Sequence, residues 1–356
     1  MFEKCLALLR YIFDTYIRFC KSTYPMIKYG VRLLLGTPLL VGGINLLLYV
    51  PLPEDVDFKL MDISYGEVSY ISIGTTIITT ILGAILIVVG LIMAKQKARK
   101  TSKVLITSML EESAEFPDDI LTDIEKKDAR EMVVLGLVET ENYVNQSIKM
   151  FNAEQEVNIY DRFILNHDCK KVLLGGRARV PFLVAYGSRF RNISAKIVYF
   201  DQLHQNQKWE LLDDVNEDIS INYEDIESIE ANKNGDIGLA ISFTSQILDS
   251  QLPPSIKNHT LMISSSVEPT RNLIKNQDNL QKISHEIKSI IDKLSVKINC
   301  KCIHMFLSVQ TSVALEIGRN YQEGMHKNFI VHNFDAVEGK YGWQIRICKN
   351  KIEIHD

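Results

Sequence analysis

The longest uncharged stretch of this chain, residues 71–94, is rich in isoleucine and leucine. Its 24 residues, folded as a helix with about 1.5 Å rise per residue, are long enough to cross the roughly 30 Å hydrocarbon layer of a bilayer. A second uncharged stretch, residues 33–50, has 18 residues and contains Pro38 and three glycines. Both residue types are tolerated in spanning helices, where neighbouring helices re-satisfy the backbone groups. We therefore predict two transmembrane α-helices, which form a hairpin within residues 31–100.

Basic residues flank this hairpin at both of its ends. The first stretch is preceded by Lys4, Arg10, Arg18, Lys21 and Lys28, and the second is followed by Lys95, Lys97, Arg99, Lys100 and Lys103. The loop between them, residues 51–70, has five acidic residues and one lysine. Because short cytoplasmic segments are enriched in Lys and Arg, we predict a multi-pass protein with both termini in the cytoplasm. The cluster 95–103 either binds anionic lipid or serves only as an orientation signal.

Residues 1–30 contain an amphipathic pattern. Apolar side chains recur there at helical spacing, and charged side chains lie on the opposite face: Leu6, Leu9, Phe13, Ile17 and Cys20 against Arg10, Asp14, Arg18 and Lys21. So many charges favour a helix that lies on the membrane surface. A disordered segment, or a helix that pairs with another helix, is the alternative.

A stripe of small residues runs along the second predicted span. Thr75, Thr79 and Gly83 recur every four residues, and such stripes let two helices approach closely. The contact is either within the hairpin or between copies of the chain in an assembly. Neither predicted span contains an ionisable residue, so the sequence provides no ion pathway.

The two parts of the chain carry opposite net charge. Residues 1–103 have 12 Lys or Arg against 7 Asp or Glu, whereas the remainder has 28 against 37. A soluble part this acidic argues against binding to duplex DNA, because basic groups that neutralise phosphates supply most of that affinity. A small anionic ligand held by a few local donors remains compatible. The six cysteines in 356 residues indicate reduced thiols rather than a disulfide framework.

After a connector, residues 101–131, the sequence contains two similar sets of apolar runs separated by helical lengths. The runs are 132–138, 171–174 and 196–200 in a first half (132–232), and 237–243, 303–309 and 329–334 in a second half (233–356). Buried runs that alternate with helices are typical of parallel sheets covered on both faces. We therefore predict a cytosolic α/β domain made of two fused Rossmann-like halves, with an insertion near residues 245–265.

A shared pattern indicates that the two halves are an internal duplication. A Phe-Asp pair followed by seven residues and a tryptophan occurs in both, as Phe200-Asp201 with Trp209 and as Phe334-Asp335 with Trp343. These are the only two tryptophans in the chain, and Gly187 and Gly318 occupy matching points near the ends of the preceding helices. The alternative is that any two βαβ units look alike; the shared spacing argues for a repeat.

The carboxyl ends of the predicted strands are expected to form a ligand site. Open parallel sheets bind ligands there, and helix N-termini present free amides to anions. Four turns reach this edge, and their candidate ligand-binding residues are Thr140, Asn142, Gly175, Gly176, Arg177, Thr244, Ser245, Gln246, Gln310, Thr311 and Ser312. A guanidinium binds phosphate bidentately, and hydroxyl and amide groups read nucleobase edges and phosphodiesters. Thr140 and Ser312 each have the alternative role of capping a helix.

No strong catalytic constellation is present in the sequence. Of the eight histidines, no two have metal-ligand spacing on a helix, and Cys300 and Cys302 lack a second Cys-x-Cys or Cys-x-x-Cys pair. Phosphate-binding loops of the P-loop or G-x-G-x-x-G type are missing, and Gly175-Gly176 alone is a weak signal. We therefore expect no catalytic residues, no metal and no cofactor, and a protein that is not an enzyme.

Residues 303–347 resemble the C-terminal part of SAVED domains. The resemblance rests on an apolar strand, a turn of small residues, a helix that ends in A-x3-G-R, and a strand that leads to an aromatic-acidic pair and a Y-x-W element; the residues are Ala314, Gly318, Arg319, Phe334, Asp335, Tyr341 and Trp343. SAVED domains resemble two fused CARF modules, which agrees with the repeat, and the similarity covers residues 120–350. The turn Ser308-Val309-Gln310 departs from the pattern, because many relatives have a proline there.

The resemblance implies a function. In the bacterial anti-phage systems called CBASS, SAVED domains bind cyclic oligonucleotides made by a partner nucleotidyltransferase and control a fused effector. This chain resembles the membrane-anchored SAVED effector, which implies a protein of the bacterial inner membrane that binds a cyclic oligonucleotide, here a cyclic trinucleotide. The implied response is self-association, after which the hairpins disrupt the lipid bilayer. Two alternatives remain open: a membrane-tethered enzyme that cleaves the ligand, and a membrane scaffold that acts without ligand.

Overall fold

The computed structural model describes most of the chain. The described residues are 24–41, 70–107, 116–129, 132–136, 143–156, 169–202, 208–213, 219–348 and 351–355. They divide into two compact units, residues 1–98 and residues 99–356. We predicted a surface helix within residues 1–30. Residues 1–23 of that range lie outside the described part of the chain.

The first unit contains two described helices, α1 (Pro25–Val41) and α2 (Tyr70–Arg99). Among the described residues, one helical segment, Thr76–Arg99, is long and apolar enough to cross a membrane. Many of its apolar side chains are exposed, including Ile78 at 66%. The predicted second span is not confirmed, because α1 ends at Val41 and residues 42–50 lie outside the described part of the chain.

Helices α1 and α2 approach each other closely at glycines. A Cβ atom on Gly83 would lie 3.0 Å from the carbonyl oxygen of Gly30, and one on Gly90 would lie 2.7 Å from the side chain of Ile27. Larger residues at these positions would therefore force the helices apart. Because Gly83 belongs to the small-residue stripe, this contact supports the interpretation that the stripe packs within the unit.

The second unit begins with a five-stranded sheet in the order β2-β1-β3-β4-β5. Its strands are β1 (Thr101–Thr107), β2 (Met132–Gly136), β3 (Lys171–Arg177), β4 (Lys196–Gln202) and β5 (Trp209–Leu211). The first four are parallel, and β5 runs antiparallel to β4. Strand β1 lies within residues 101–131, which we expected to be a connector. The first half therefore starts before residue 132, at the end of α2.

The second sheet has seven strands in the order β12-β11-β10-β9-β7-β8-β6. They are β6 (Ile221–Tyr223), β7 (Asp236–Ser242), β8 (Thr260–Ser265), β9 (Cys302–Ser308), β10 (Asn328–Asp335), β11 (Lys340–Cys348) and β12 (Lys351–Ile354). Strands β7 to β10 are parallel, and the outer strands are antiparallel to their neighbours. The expected insertion near residues 245–265 thus contains a sheet strand, β8.

The two sheets share one strand order. The order β2-β1-β3-β4-β5 of the first corresponds to β8-β7-β9-β10-β11 of the second. Trp209 lies in β5 and Trp343 in the corresponding β11, as the repeated sequence pattern requires. The alignment of the first strands differs from the prediction, because β1 rather than β2 corresponds to β7. This shared order supports an internal duplication.

The described helices of the second unit are α3 (Asp123–Asp128), α4 (Tyr143–Glu156), α5 (Val180–Arg189), α6 (Gln277–Ser295) and α7 (Thr311–Arg319). In α6, buried side chains at Leu280, Ile283 and Ile287 follow the helical period, so one face packs on the core. Its first turn is capped by Asn276, whose side chain accepts hydrogen bonds from the backbone of Asp278 at 2.6 Å and of Asn279 at 3.3 Å.

The corresponding helices α5 and α7 pack against each other at matching glycines. A Cβ atom on Gly187 would overlap the backbone of Leu315, and one on Gly318 would overlap the backbone of Val184. The two halves are therefore joined where their equivalent helices cross. One hydrophobic core runs through both halves, from Val104 of the first sheet to Ile345 of the second.

Candidate ligand site at the strand ends

The carboxyl ends of the parallel strands of both sheets meet through hydrogen bonds. The hydroxyl of Thr311, which starts α7, donates to the carbonyl oxygen of Gly176 in β3 at 3.1 Å. The carboxylate of Asp201, near the end of β4, accepts from the side-chain amide of Gln310 at 2.9 Å and from the backbone N–H of Ser312 at 3.1 Å. Turns from both predicted halves therefore meet at one edge of the domain.

Gln310 is buried and uses its whole amide within the fold. Its oxygen accepts from the backbone N–H of Ile274 at 2.7 Å, and its nitrogen donates to the carbonyl of Ile274 at 2.8 Å and to Asp201. The hydroxyl of Ser312, which is fully buried, also donates to Asp201. The structure thus gives two predicted ligand residues, Gln310 and Ser312, a structural role, since their polar groups already have partners.

The glycine pair in β3 is explained by close packing within the sheet. A Cβ atom on Gly175 would lie 2.6 Å from the ring of Phe200 in β4, and one on Gly176 would lie 2.9 Å from the Cβ atom of Ile106 in β1. Both glycines are buried. Their backbone positions border the site, but the need for glycine comes from the neighbouring strands.

A cluster of hydroxyl groups lies at the carboxyl ends of β7 and β9 in the second sheet. The Ser308 hydroxyl lies 2.9 Å from that of Thr244 and 2.8 Å from that of Ser245, and it accepts from the backbone N–H of Ser245 at 3.0 Å. Thr244 is half-buried, whereas Ser245 and Gln246 are exposed. Ser308 was not among the predicted site residues, although its position at the end of β9 is the signal that identifies it.

Three exposed cations lie along this edge. Arg177 ends β3, whereas Arg271 and Lys275 come from the segment between β8 and α6. None of the three has a hydrogen-bonding or ionic side-chain partner among the described residues. Sequence reasoning missed Arg271 and Lys275, because they come from the segment before α6, which begins at Gln277, and not from one of the four predicted turns.

The segment that carries these two cations lies across the strand ends. The backbone N–H of Thr270 donates to the carbonyl of Phe243 at 3.0 Å, just beyond β7, and Ile274 is held by Gln310, just beyond β9. A small recess of about 20 Å³, which is open to solvent, lies beside it. The residues that line the recess are Asp201, Glu210, Leu211, Leu212, Asn272, Ile274, Lys275 and Gln310.

Asp201 is the one acidic side chain buried within this network. Burial raises the pKa of its carboxyl group, and the hydrogen bonds from Ser312 and Gln310 act in the opposite direction. Within the described residues, no group of three or more His, Cys, Asp or Glu side chains is arranged to hold a metal ion. Thr140 and Asn142, the remaining predicted site residues, lie outside the described part of the chain.

Comparison with protein families identifies the domain. Residues 160–347, more than half of the chain, match the SAVED family, the SMODS-associated and fused to various effectors sensor domain. The chain belongs to the SAVED family. This confirms the resemblance found in the sequence, and it makes the second unit a sensor domain by family membership. A search of curated protein sequences found no match.

Solved SAVED receptors provide structural relatives. The Acinetobacter baumannii Cap4 receptor with the cyclic trinucleotide 3'3'3'-cAAA has a TM-score of 0.44 and 13% identity, over 79% of this chain and 60% of that one. The same receptor with 2'3'3'-cAAA gives 0.44 and 14% over the same shares, 79% and 60%. The Moraxella osloensis Cap4 receptor gives 0.41 and 16%, over 76% and 57%. This SAVED chain thus spans about three fifths of the length of the receptors that it matches.

Proposed function

We propose that this SAVED chain is a membrane effector of bacterial anti-phage defence, whose sensor binds a cyclic oligonucleotide at the strand ends. The observation that carries the proposal is the meeting of the two halves at Thr311 with Gly176 and at Gln310 with Asp201. This contact places turns from both sheets at one edge, where open parallel sheets bind their ligands. Family membership in a group of sensor domains supports the same role.

The exposed groups at this edge suit a ring of phosphodiesters. Arg177, Arg271 and Lys275 provide positive charge, and Ser245, Gln246 and the half-buried Thr311 provide donors and acceptors. The recess beside Lys275 is too small to enclose a cyclic nucleotide, so the ligand would lie over the strand ends rather than inside a cavity.

The proposed ligand is a cyclic trinucleotide from a cognate nucleotidyltransferase. Of the structural relatives, the Acinetobacter baumannii receptor was solved with two cyclic trinucleotides of adenosine, and we propose the same ligand class for this chain. We propose that the second unit consists of two CARF-like halves and is not catalytic.

The proposed response is self-association followed by damage to the bacterial inner membrane. Segment Thr76–Arg99 would anchor the chain, with a second span and cytoplasmic termini completing a multi-pass arrangement. A ligand shifts an assembly equilibrium only by its differential affinity for the assembled form. This difference in affinity would arise if the bound ligand contacted two copies of the chain at once. It would also arise if the ligand changed the conformation of the strand-end surface of one copy.

Calorimetry on the full chain in detergent, titrated with cyclic di-, tri- and tetranucleotides, tests the binding step. We expect Arg177→Ala and Lys275→Ala to weaken binding by roughly tenfold or more each, because each change removes a charge-assisted hydrogen bond to phosphate. Lys233→Ala, an exposed lysine near the amino end of β7, is the matched control and should bind like the wild type.

Absence of heat with every cyclic nucleotide would overturn the proposed ligand class. Chromatography of the same mixtures distinguishes a sensor from an enzyme, since a sensor leaves the ring intact and an enzyme yields linear products. If Lys233→Ala weakened nucleotide binding as much as Arg177→Ala and Lys275→Ala do, the ligand site would not be at the strand ends.

A further inference from the structure

The segment that carries Arg271 and Lys275 has no regular secondary structure of its own. It joins β8 to α6 as residues 266–276, and it forms neither helix nor strand apart from a single antiparallel bridge between Asn276 and Asp213. The path of such a connection is fixed by a few individual hydrogen bonds rather than by a ladder. The placement of its two cations therefore depends on where the segment is anchored.

Anchors on both sheets hold this segment. The N–H of Thr270 donates to the carbonyl of Phe243, just beyond β7 of the second sheet, at 3.0 Å. Where the segment enters α6, the N–H of Gln277 donates to the carbonyl of Leu212, just beyond β5 of the first sheet, also at 3.0 Å. A further anchor, at Ile274, lies between these two. The segment thus connects the end of β7 to the outer strand of the first sheet.

A single glutamine side chain supplies the middle anchor. The oxygen of Gln310 accepts from the N–H of Ile274 at 2.7 Å, and its nitrogen donates to the carbonyl of Ile274 at 2.8 Å and to the carboxylate of Asp201 at 2.9 Å. A carboxamide has both a donor and an acceptor, so it pairs with both backbone groups of one residue, as a neighbouring strand would. Because Ile274 and Gln310 are both buried, loss of this pairing would leave two backbone groups without partners and away from water.

Lys275 follows this anchor directly along the chain. The preceding side chains, Leu273 and Ile274, are buried in the hydrophobic core, whereas Lys275 is exposed. Lys275 lines the same recess as the exposed Glu210, but the two form no ion pair within the described residues. A carboxylate so close competes with a phosphate for the ammonium. The position of the backbone at Lys275 therefore decides which of the two its side chain reaches.

We propose that Gln310 is a positioning residue for ligand binding, which holds residues 266–276 so that Lys275 meets a phosphate of the bound ligand. The inference rests on the proposed function, since it concerns the same site at the strand ends. Gln310 does not itself touch the ligand, because its carboxamide is already occupied within the fold. It acts through Ile274, and its bond to Asp201 sets the position of the segment relative to β4 of the first sheet.

A double-mutant cycle between Gln310→Met and Lys275→Ala tests this coupling. Methionine keeps the length of the glutamine side chain and removes its hydrogen bonds. The full chain in detergent is titrated by calorimetry with the cyclic di-, tri- or tetranucleotide that the wild type binds most tightly. We expect Lys275→Ala to weaken binding roughly tenfold in the wild-type background and less than about threefold in Gln310→Met, where the lysine is already displaced.

Arg177→Ala is the matched control, because Arg177 ends β3 and lies outside the segment. It should weaken binding roughly tenfold in both backgrounds. Gln344→Met, which changes a half-buried glutamine in β11, should leave the effect of Lys275→Ala unchanged. An equal effect of Lys275→Ala with and without Gln310→Met would overturn the positioning role. A reduced effect of Arg177→Ala in Gln310→Met would also contradict it, because the substitution would then disturb the whole edge.

Hydrogen exchange on the wild-type chain tests the anchor without any substitution. The amide of Ile274, whose N–H donates to Gln310, should exchange roughly 100-fold or more slowly than in an unfolded chain. Gln310→Met should lower this protection by roughly tenfold or more. Unprotected exchange of Ile274 in the wild type would overturn the proposal, whether or not Gln310→Met folds.

These measurements separate the inference from the proposed function. Absence of binding with every cyclic nucleotide overturns the proposed function, and with it the ligand contact of Lys275, even where Ile274 is protected. Binding by the wild type without coupling between Gln310 and Lys275 retains the proposed function and rejects the positioning role.

Discussion

Asp201 joins the two halves of the sensor through one buried carboxylate. It lies near the end of β4 and accepts hydrogen bonds from Gln310 and Ser312, which precede and open α7. An acidic side chain is rarely buried without such donors, because its charge loses the solvation of water. The corresponding residue of the second half, Asp335, instead accepts from the backbone of its own turn, at Val337 and Glu338.

Asp201→Asn should destabilise the domain by about 2–3 kcal/mol. The substituted amide nitrogen is a donor, so it faces the donors of Gln310 and Ser312 and leaves buried groups unpaired. Thermal unfolding of the detergent-solubilised chain measures the loss. Asp335→Asn is the control and should remain close to the wild type, since an asparagine oxygen also accepts from turn N–H groups. Equal destabilisation by both variants would argue against the role of Asp201.

At the scale of elements, neighbouring strands β9 and β10 hold a pair of histidines. His304 Nδ1 lies 2.9 Å from His332 Nε2, and the ring of Phe306 stacks on His332 with centroids 4.3 Å apart. Burial lowers the pKa of His304 to about 4, against the opposing effect of Asp236 at 3.6 Å. Burial and the neighbouring His304 also lower the pKa of His332. Both rings are therefore neutral in the folded domain near neutral pH.

The histidine pair predicts that stability decreases as the pH falls. Below about pH 6.5 the unfolded chain binds protons that the folded pair resists until about pH 4, so the free energy of unfolding decreases across this range. We expect a loss on the order of 2–3 kcal/mol, and a shallower loss in His304→Gln. His285→Gln, on the exposed face of α6, should unfold like the wild type at each pH. A pH dependence that is unchanged in His304→Gln would exclude the pair as its source.

The elements that sequence analysis identified are the long apolar ones. The sequence predicted β7, β9 and β10, because strands buried on both faces, such as β9, are nearly continuous apolar stretches. Strand β1 was predicted to be part of a connector, and β8 was predicted to be part of an insertion. Strand β1 pairs with β3, which is remote from it in sequence, and β8 pairs with β7 inside the assembled sheet. Neither pairing is visible in the local sequence.

At the scale of the whole molecule, equivalent helices from the two halves pack together at Gly187 and Gly318. The close approach of α5 and α7 and the strand-end hydrogen bonds are two connections between the same halves. The helix contact sets their separation, and the hydrogen bonds hold the turns that carry the candidate site. A change at the helix contact should therefore alter both stability and ligand binding.

Gly318→Ala should destabilise the sensor by about 1–3 kcal/mol and weaken binding of a cyclic trinucleotide. Its Cβ atom would overlap the backbone of Val184, so α5 and α7 must move apart, and backbone cannot yield as a flexible side chain does. Unfolding and calorimetry measure the two effects. Gly342→Ala is the control, because its Cβ atom would have no neighbour nearer than 4.0 Å. Wild-type stability of Gly318→Ala would show that the helices tolerate separation.

The sequence by itself determined the apolar segment at residues 71–94, the α/β character of the soluble part, the repeated Phe-Asp and Trp pattern, and the family. These features depend on local composition and spacing, which are visible along the chain. Only the tertiary structure decided which polar residues at the strand ends are exposed and which are paired. Gln310 and Asp201 are 109 residues apart, and a hydrogen bond between them is set by how the two sheets meet rather than by the residues adjacent to either.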